Sequence, residues 1–132
     1  MRFNNSSVCI GLRMAAGCAA LAAAGMVCAQ DLDAGKAQFV TSCGVCHAVD
    51  PAAPPRQGPP LGGIFGRKAG QHPGFRYSAP LKAADWVWNE ATLDPWVENA
   101  QAAHPGTTMN YRQADPDKRA RIIAYLKSIS QP

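Results

Sequence analysis

Cys43-Gly44-Val45-Cys46-His47 constrains this chain more than any other stretch. Two thiols three positions apart, with an imidazole directly after the second, match a c-type haem attachment motif. Each thiol can add to a haem vinyl group, and the histidine can bind the iron from the same side. A single motif predicts one haem c, attached covalently through Cys43 and Cys46. Two other chemistries use Cys-x-x-Cys. Zinc needs further ligands, and the only other cysteines, Cys9, Cys18 and Cys28, lie in what reads as a removed leader. A redox dithiol follows a strand and opens a helix, whereas here a helical pattern ends in the motif and a Pro-rich loop follows.

The leader reading rests on the N-terminus. Arg2 and Arg13 give a positive start, Met14 to Val27 is Ala-rich and uncharged, and Val27-Cys28-Ala29 ends in a small residue suited to signal peptidase. Residues 1–29 are therefore expected to be a secretory signal peptide and 30–132 a monohaem domain. The apolar run of about 14 residues falls short of the roughly 20 that a spanning helix needs, so no stable membrane insertion is expected. Lipidation at Cys18, after Ala15-Ala16-Gly17, is the alternative, although the larger aliphatic residue usual three places before such a cysteine is missing.

Cleavage after Ala29 would leave about a hundred residues, few for a self-sufficient core, and a haem would supply the missing apolar mass. It would also remove Arg2 and Arg13 while keeping every acidic residue, taking the net charge from +4 to about +2. Haem propionates set against a ferric core lower that to about +1. Such a balance does not suggest a nucleic-acid partner. Export fits the chemistry, because a thioether survives outside the cytoplasm without any disulfide, and the periplasm is the expected location.

The pattern predicts helices and long loops, with no strand signal. Asp31 and Asp33 are candidate N-caps for a helix running to about Cys43, with Phe39 and Val40 as its bulky apolar positions and Ala34 and Ala37 one turn earlier. From Val49 to Gly74 the prolines and glycines predict loop, which needs something to pack on. A short helix is expected around Ala79–Ala84. Another begins with Thr92 as N-cap and Pro95 in its first turn, placing Leu93, Trp96 and Val97 on one face. The last starts at Asp115, with Pro116 at its first position, and runs to about Ser128, carrying Ile122, Ile123, Leu126 and Ile129 as an apolar stripe.

Several further motifs follow in order: Gly58-Pro59-Pro60-Leu61, Ile64-Phe65-Gly66-Arg67, Pro73-Gly74-Phe75-Arg76-Tyr77, Trp88-Asn89-Glu90-Ala91-Thr92-Leu93, Pro105-Gly106-Thr107-Thr108-Met109 and Ile123-Ala124-Tyr125-Leu126-Lys127. With them the chain resembles the class I c-type cytochromes, in the mitochondrial-type branch shared with soluble bacterial electron carriers, from about Gly35 to Lys127. The resemblance implies an all-α, small cytochrome c fold: three main helices plus long loops wrapped around one covalently attached haem. It implies that the Pro59 carbonyl accepts a hydrogen bond from His47, orienting the imidazole and raising its basicity. It implies that Arg67, Tyr77 and Trp88 hydrogen-bond buried propionates, and that Gly35 and Phe39 meet Tyr125 where the first and last helices cross. Met109 is the candidate sixth ligand, a soft thioether that favours ferrous iron. With Met1, Met14 and Met26 in the leader, it is the only methionine left.

The expected function is a soluble, monomeric periplasmic carrier of single electrons, with His47 and Met109 as iron ligands. It would shuttle between respiratory or photosynthetic redox proteins, such as a quinol-oxidising complex, a terminal oxidase or a periplasmic dehydrogenase. It is not expected to be an enzyme, since filled axial positions leave outer-sphere transfer. The alternatives are a haem enzyme or ligand sensor with an open sixth position, and a subunit permanently docked on a dehydrogenase. Some positions depart from the resembled pattern. Trp96 stands for a tyrosine near the methionine sulfur and Leu81 for an asparagine, while Ser42, Gln101, Ala102 and Thr108 stand where lysines ring the haem edge, with only Arg56 keeping a charge. Docking is thus expected to be mainly apolar. No lysine is then available beside Met109 as a replacement ligand, but His104 is a candidate.

Overall fold

The computed structural model describes residues 31–131. The expected leader, the cleavage site expected after Ala29 and Cys18 lie outside those residues. Among the described residues there are helices and loops but no strand, only the isolated bridges Lys68 to Val87 and Asn99 to Arg112.

The first helix, α1, covers 31–42. Asp31 and Asp33 are already helical, so neither caps it. Its buried face is only partly the expected one: Gly35 and Phe39, one turn apart, are buried as the resemblance implies, whereas Ala34 and Ala37 are exposed and Val40 is 57% exposed. The stripe runs through positions four apart, so adjacent Val40 turns to solvent. Gly35 is where α1 meets the last helix. A Cβ there would stand 2.5 Å from the Arg121 carbonyl oxygen and 3.1 Å from Tyr125 Cβ. The close approach lets Phe39 and Tyr125 pack with ring centroids 5.4 Å apart.

A Pro- and Gly-rich loop leads to α2 (Ala79–Lys82), shorter than expected, with Pro80 in its first turn. α3 spans Glu90–Glu98. Its N-cap is Asn89 rather than Thr92. The Asn89 side chain accepts from the Thr92 amide at 3.0 Å and Thr92 Oγ1 accepts from the Asn89 amide at 2.9 Å, a reciprocal capping box. Pro95 consequently lies inside α3, beyond its first turn. A further single turn, α4 (Ala100–Ala103), follows after Asn99. The last helix, α5 (Pro116–Ser128), begins as expected, with Asp115 accepting from the amides of Asp117 and Lys118.

The core lies where α3 packs on α5, through Leu93, Trp96 and Val97 against Ile122, Ile123 and Leu126. Ile122 is fully buried, which stabilises the fold by about 1.5–3 kcal/mol. Arg119 fastens the same pair of helices: its Nε donates to Asp94 Oδ1 at 2.8 Å and its Nη1 to the carbonyls of Gln113 and Ala114 at 3.1 and 3.0 Å.

Candidate functional site

α1 delivers the motif as a tight continuation of its last turn. The Cys43 and Gly44 amides both donate to the Phe39 carbonyl, and the His47 amide donates back to the Cys43 carbonyl at 2.9 Å. The following loop folds over it, with the Gly58 amide donating to the Cys46 carbonyl at 2.9 Å and Arg56 Nη1 to the Gly44 carbonyl at 2.8 Å. This return sets the imidazole. His47 Nδ1 lies 2.7 Å from the Pro59 carbonyl oxygen. A carbonyl can only accept, so Nδ1 carries the proton and Nε2 keeps its lone pair. Burial pushes the His47 pKa down, partly offset by that same bond, which favours the neutral, ligating form. Gly58 is obligatory here because a Cβ would collide with the His47 ring.

His47, Cys43 and Cys46 line a cavity of about 320 Å³, and so do Pro59, Arg67, Tyr77, Trp88 and Met109. All eight residues singled out from the sequence therefore share one lining. Both cysteines are free thiols. Burial, and the neighbouring Cys46, push the Cys43 pKa up to about 11. A redox dithiol works through a lowered pKa, so this pair is poorly suited to that chemistry. No group of three or more His, Cys, Asp or Glu stands together among the described residues, so a zinc donor set is missing there as well.

Elsewhere in the lining, Arg67 Nη2 donates to the Pro60 carbonyl at 2.9 Å, and the Tyr77 hydroxyl accepts from the His72 amide at 3.2 Å. Burial raises the Tyr77 pKa, opposed by the His72 bond and by Arg67. Ser78, which sequence reasoning missed, also lines the cavity, and its Oγ is buried with no partner. A lone serine in a loop carries no sequence signal. An orphaned buried hydroxyl is costly unless something in the cavity bonds it.

Met109 is half-buried and packs against the core, with its amide 3.4 Å from Thr107 Oγ1. Trp88 and Trp96 stand beside it in the lining, their ring centroids 5.3 Å apart and edge to face. Trp86 meets Trp88 at 6.0 Å. His104 does not line the cavity; it stacks flat on Trp86, centroids 4.0 Å apart and planes within 11°. To act as a replacement ligand it would first have to leave that stack.

A haem fits this arrangement. Leu61, Ile64, Phe75, Leu81, Trp88 and Trp96 give an apolar bed; His47 Nε2 and the Met109 sulfur are donors suited to iron; two thiols stand at attachment spacing; and Ser78, Arg67 and Tyr77 put polar atoms where carboxylates could bond.

The family model described as cytochrome c matches residues 32–130. Cytochrome c2 of Rhodomicrobium vannielii is 43% identical over 90 residues, covering 67% of this chain and 72% of that protein. Cytochrome c of Sesamum indicum is 42% identical over 98 residues, covering 74% and 88%. Cytochrome c of Chlamydomonas reinhardtii is 41% identical over 100 residues, covering 75% and 89%.

Proposed function

Because the chain belongs to the cytochrome c family, and so has the small all-α fold of an electron carrier rather than an enzyme, we propose that it is an exported carrier working in the periplasm. In this reading residues 1–29 are the leader. One haem would be held through thioethers from Cys43 and Cys46, with His47 Nε2 and the Met109 sulfur as the iron's protein ligands. When bound, it supplies one-electron exchange between ferric and ferrous iron.

The chain's own residues would do the rest. The observation that carries the reading is that a histidine with its Nε2 lone pair free, two thiols at attachment spacing and the single methionine of the described residues line one apolar cavity. Pro59 fixes the imidazole and raises its basicity. Met109 would supply the second protein ligand to the iron and so keep small molecules off it. Arg67, Tyr77, Ser78 and Trp88 would satisfy the propionates. Val45, 75% exposed inside the motif, and the neutral Ser42, Gln101 and Thr108 give partners such as a quinol-oxidising complex, a terminal oxidase or a dehydrogenase a weakly charged surface.

The mass of the purified protein tests this: chain cleaved after Ala29 plus one haem, surviving acid-acetone extraction. Extractable haem, or two unmodified thiols, would overturn it. The ferric protein should show the weak far-red absorption of a thioether complex, lost in Met109→Ala. If the band persists in that variant, Met109 is not the ligand.

A further inference from the structure

The segment from His104 to Arg112 carries Met109 yet has almost no regular structure of its own. Among the described residues, no backbone amide donates to the carbonyl of Thr107 or of Met109. Both carbonyls are instead taken by one side chain. Gln101 Nε2 donates to Thr107 O at 2.6 Å and to Met109 O at 3.1 Å. A primary amide has two N–H donors, and here both are used on carbonyls two residues apart, either side of Thr108.

Gln101 is itself well anchored. It sits on α4, whose turn is capped by Asn99 Oδ1 accepting from the Ala102 amide at 3.1 Å, and whose first residue, Ala100, is fully buried and donates its amide to the Tyr111 carbonyl at 3.3 Å. The same segment is braced from outside by His104 on Trp86, and Gly106, at φ +85°, leaves room beside Pro80, whose Cγ would stand 3.2 Å from an added Cβ. Those contacts lie on the His104–Gly106 arm. On the Thr107–Met109 arm, Gln101 is the side chain from outside the segment that holds the backbone.

We infer that Gln101 is a positioning residue for Met109: its amide clamps the two carbonyls that set where the thioether points, and so governs how often the methionine leaves the iron. The inference rests on Met109 being an axial ligand, as proposed above. An amide also has no basic nitrogen, so the clamp offers iron no competing ligand.

Carbon monoxide binding to the reduced holoprotein reads this directly, because the gas must wait for Met109 to leave. Slow binding is expected for the wild type. Gln101→Leu, which keeps bulk without a donor, and Gln101→Glu, which keeps the shape but only accepts, should each bind about tenfold faster, as loss of a pair of neutral hydrogen bonds allows. Gln101→Arg, a donor that cannot ligate, should return the rate to within about threefold of wild type. Thr92→Ala, which removes the hydroxyl half of the α3 capping box at the end of that helix away from α4, should leave the rate unchanged. The clamp is overturned if the Leu and Glu variants bind at the wild-type rate, or if Thr92→Ala accelerates binding equally. Immediate binding to the wild type would instead overturn methionine ligation itself.

Discussion

The histidine side of the cavity is fastened mainly by backbone: the motif closes on Phe39 and Cys43, the returning loop bonds to the Cys46 carbonyl, and the Pro59 carbonyl accepts the imidazole hydrogen bond from twelve residues away. The methionine side has backbone bonds near its ends, from Thr107 to His104 and from Ala100 to Tyr111, but between them it hangs on side chains borrowed from elsewhere, namely Gln101 and Trp86. Backbone bonds survive most substitutions, since every residue but proline supplies the same donor and acceptor. Side-chain clamps vanish with one. The two ligands of a single site thus differ in how readily sequence change can loosen them, and the methionine is the softer end.

Gly58→Ala should break the firm side most severely. The new Cβ meets the His47 ring, and overpacking against a ring held by Pro59 is expected to cost about 3 kcal/mol in denaturant titration of the holoprotein. A loss under about 0.5 kcal/mol would mean that this side yields as easily as the other. Trp86→Leu probes the soft side. Losing the stack on His104 should raise amide exchange at Thr107, whose N–H donates to the His104 carbonyl at 3.2 Å, by about fivefold. Exchange at Gly58 should stay within experimental error, and equal acceleration at both amides would erase the distinction. Tyr77→Phe should have the smallest effect. Burial raises the Tyr77 pKa, so the folded state holds its phenolic proton more tightly than the unfolded chain. The stability this contributes is present below about pH 10 and is lost as pH rises through the folded pKa. The variant should therefore flatten the alkaline limb of a stability profile, in addition to the loss of about 1 kcal/mol at neutral pH that the missing His72 bond brings; an unaltered limb would show that Tyr77 does not titrate with unfolding.

The histidine side was also the more legible in the sequence, for the same reason. Cys43, Cys46 and His47 fall within five residues that have one chemical meaning, and the Gly58-Pro59 return lies nearby. α5 was legible because Asp115 and Pro116 mark its start and its apolar stripe is long. The N-terminus of α3 was misplaced because a capping box has polar residues at both ends, and Thr92 is the N3 partner of Asn89. On α1, the alanines mimic an apolar face without having to be buried. α4 is too short for any periodicity to register. Ser78 and Gln101 acquire their roles only when distant backbone is brought to them, and no local pattern announces that.

Trp86, Trp88 and Trp96 are the chain's only tryptophans, and they meet ring to ring within 6.0 Å. Light absorbed by one is therefore shared among all, and a haem in the adjoining cavity would drain the excitation before it is emitted. The folded holoprotein should be nearly dark under ultraviolet illumination and brighten as the cluster separates from the cavity. That glow would report the integrity of the whole bed at once, and no single indole could be read apart from its neighbours.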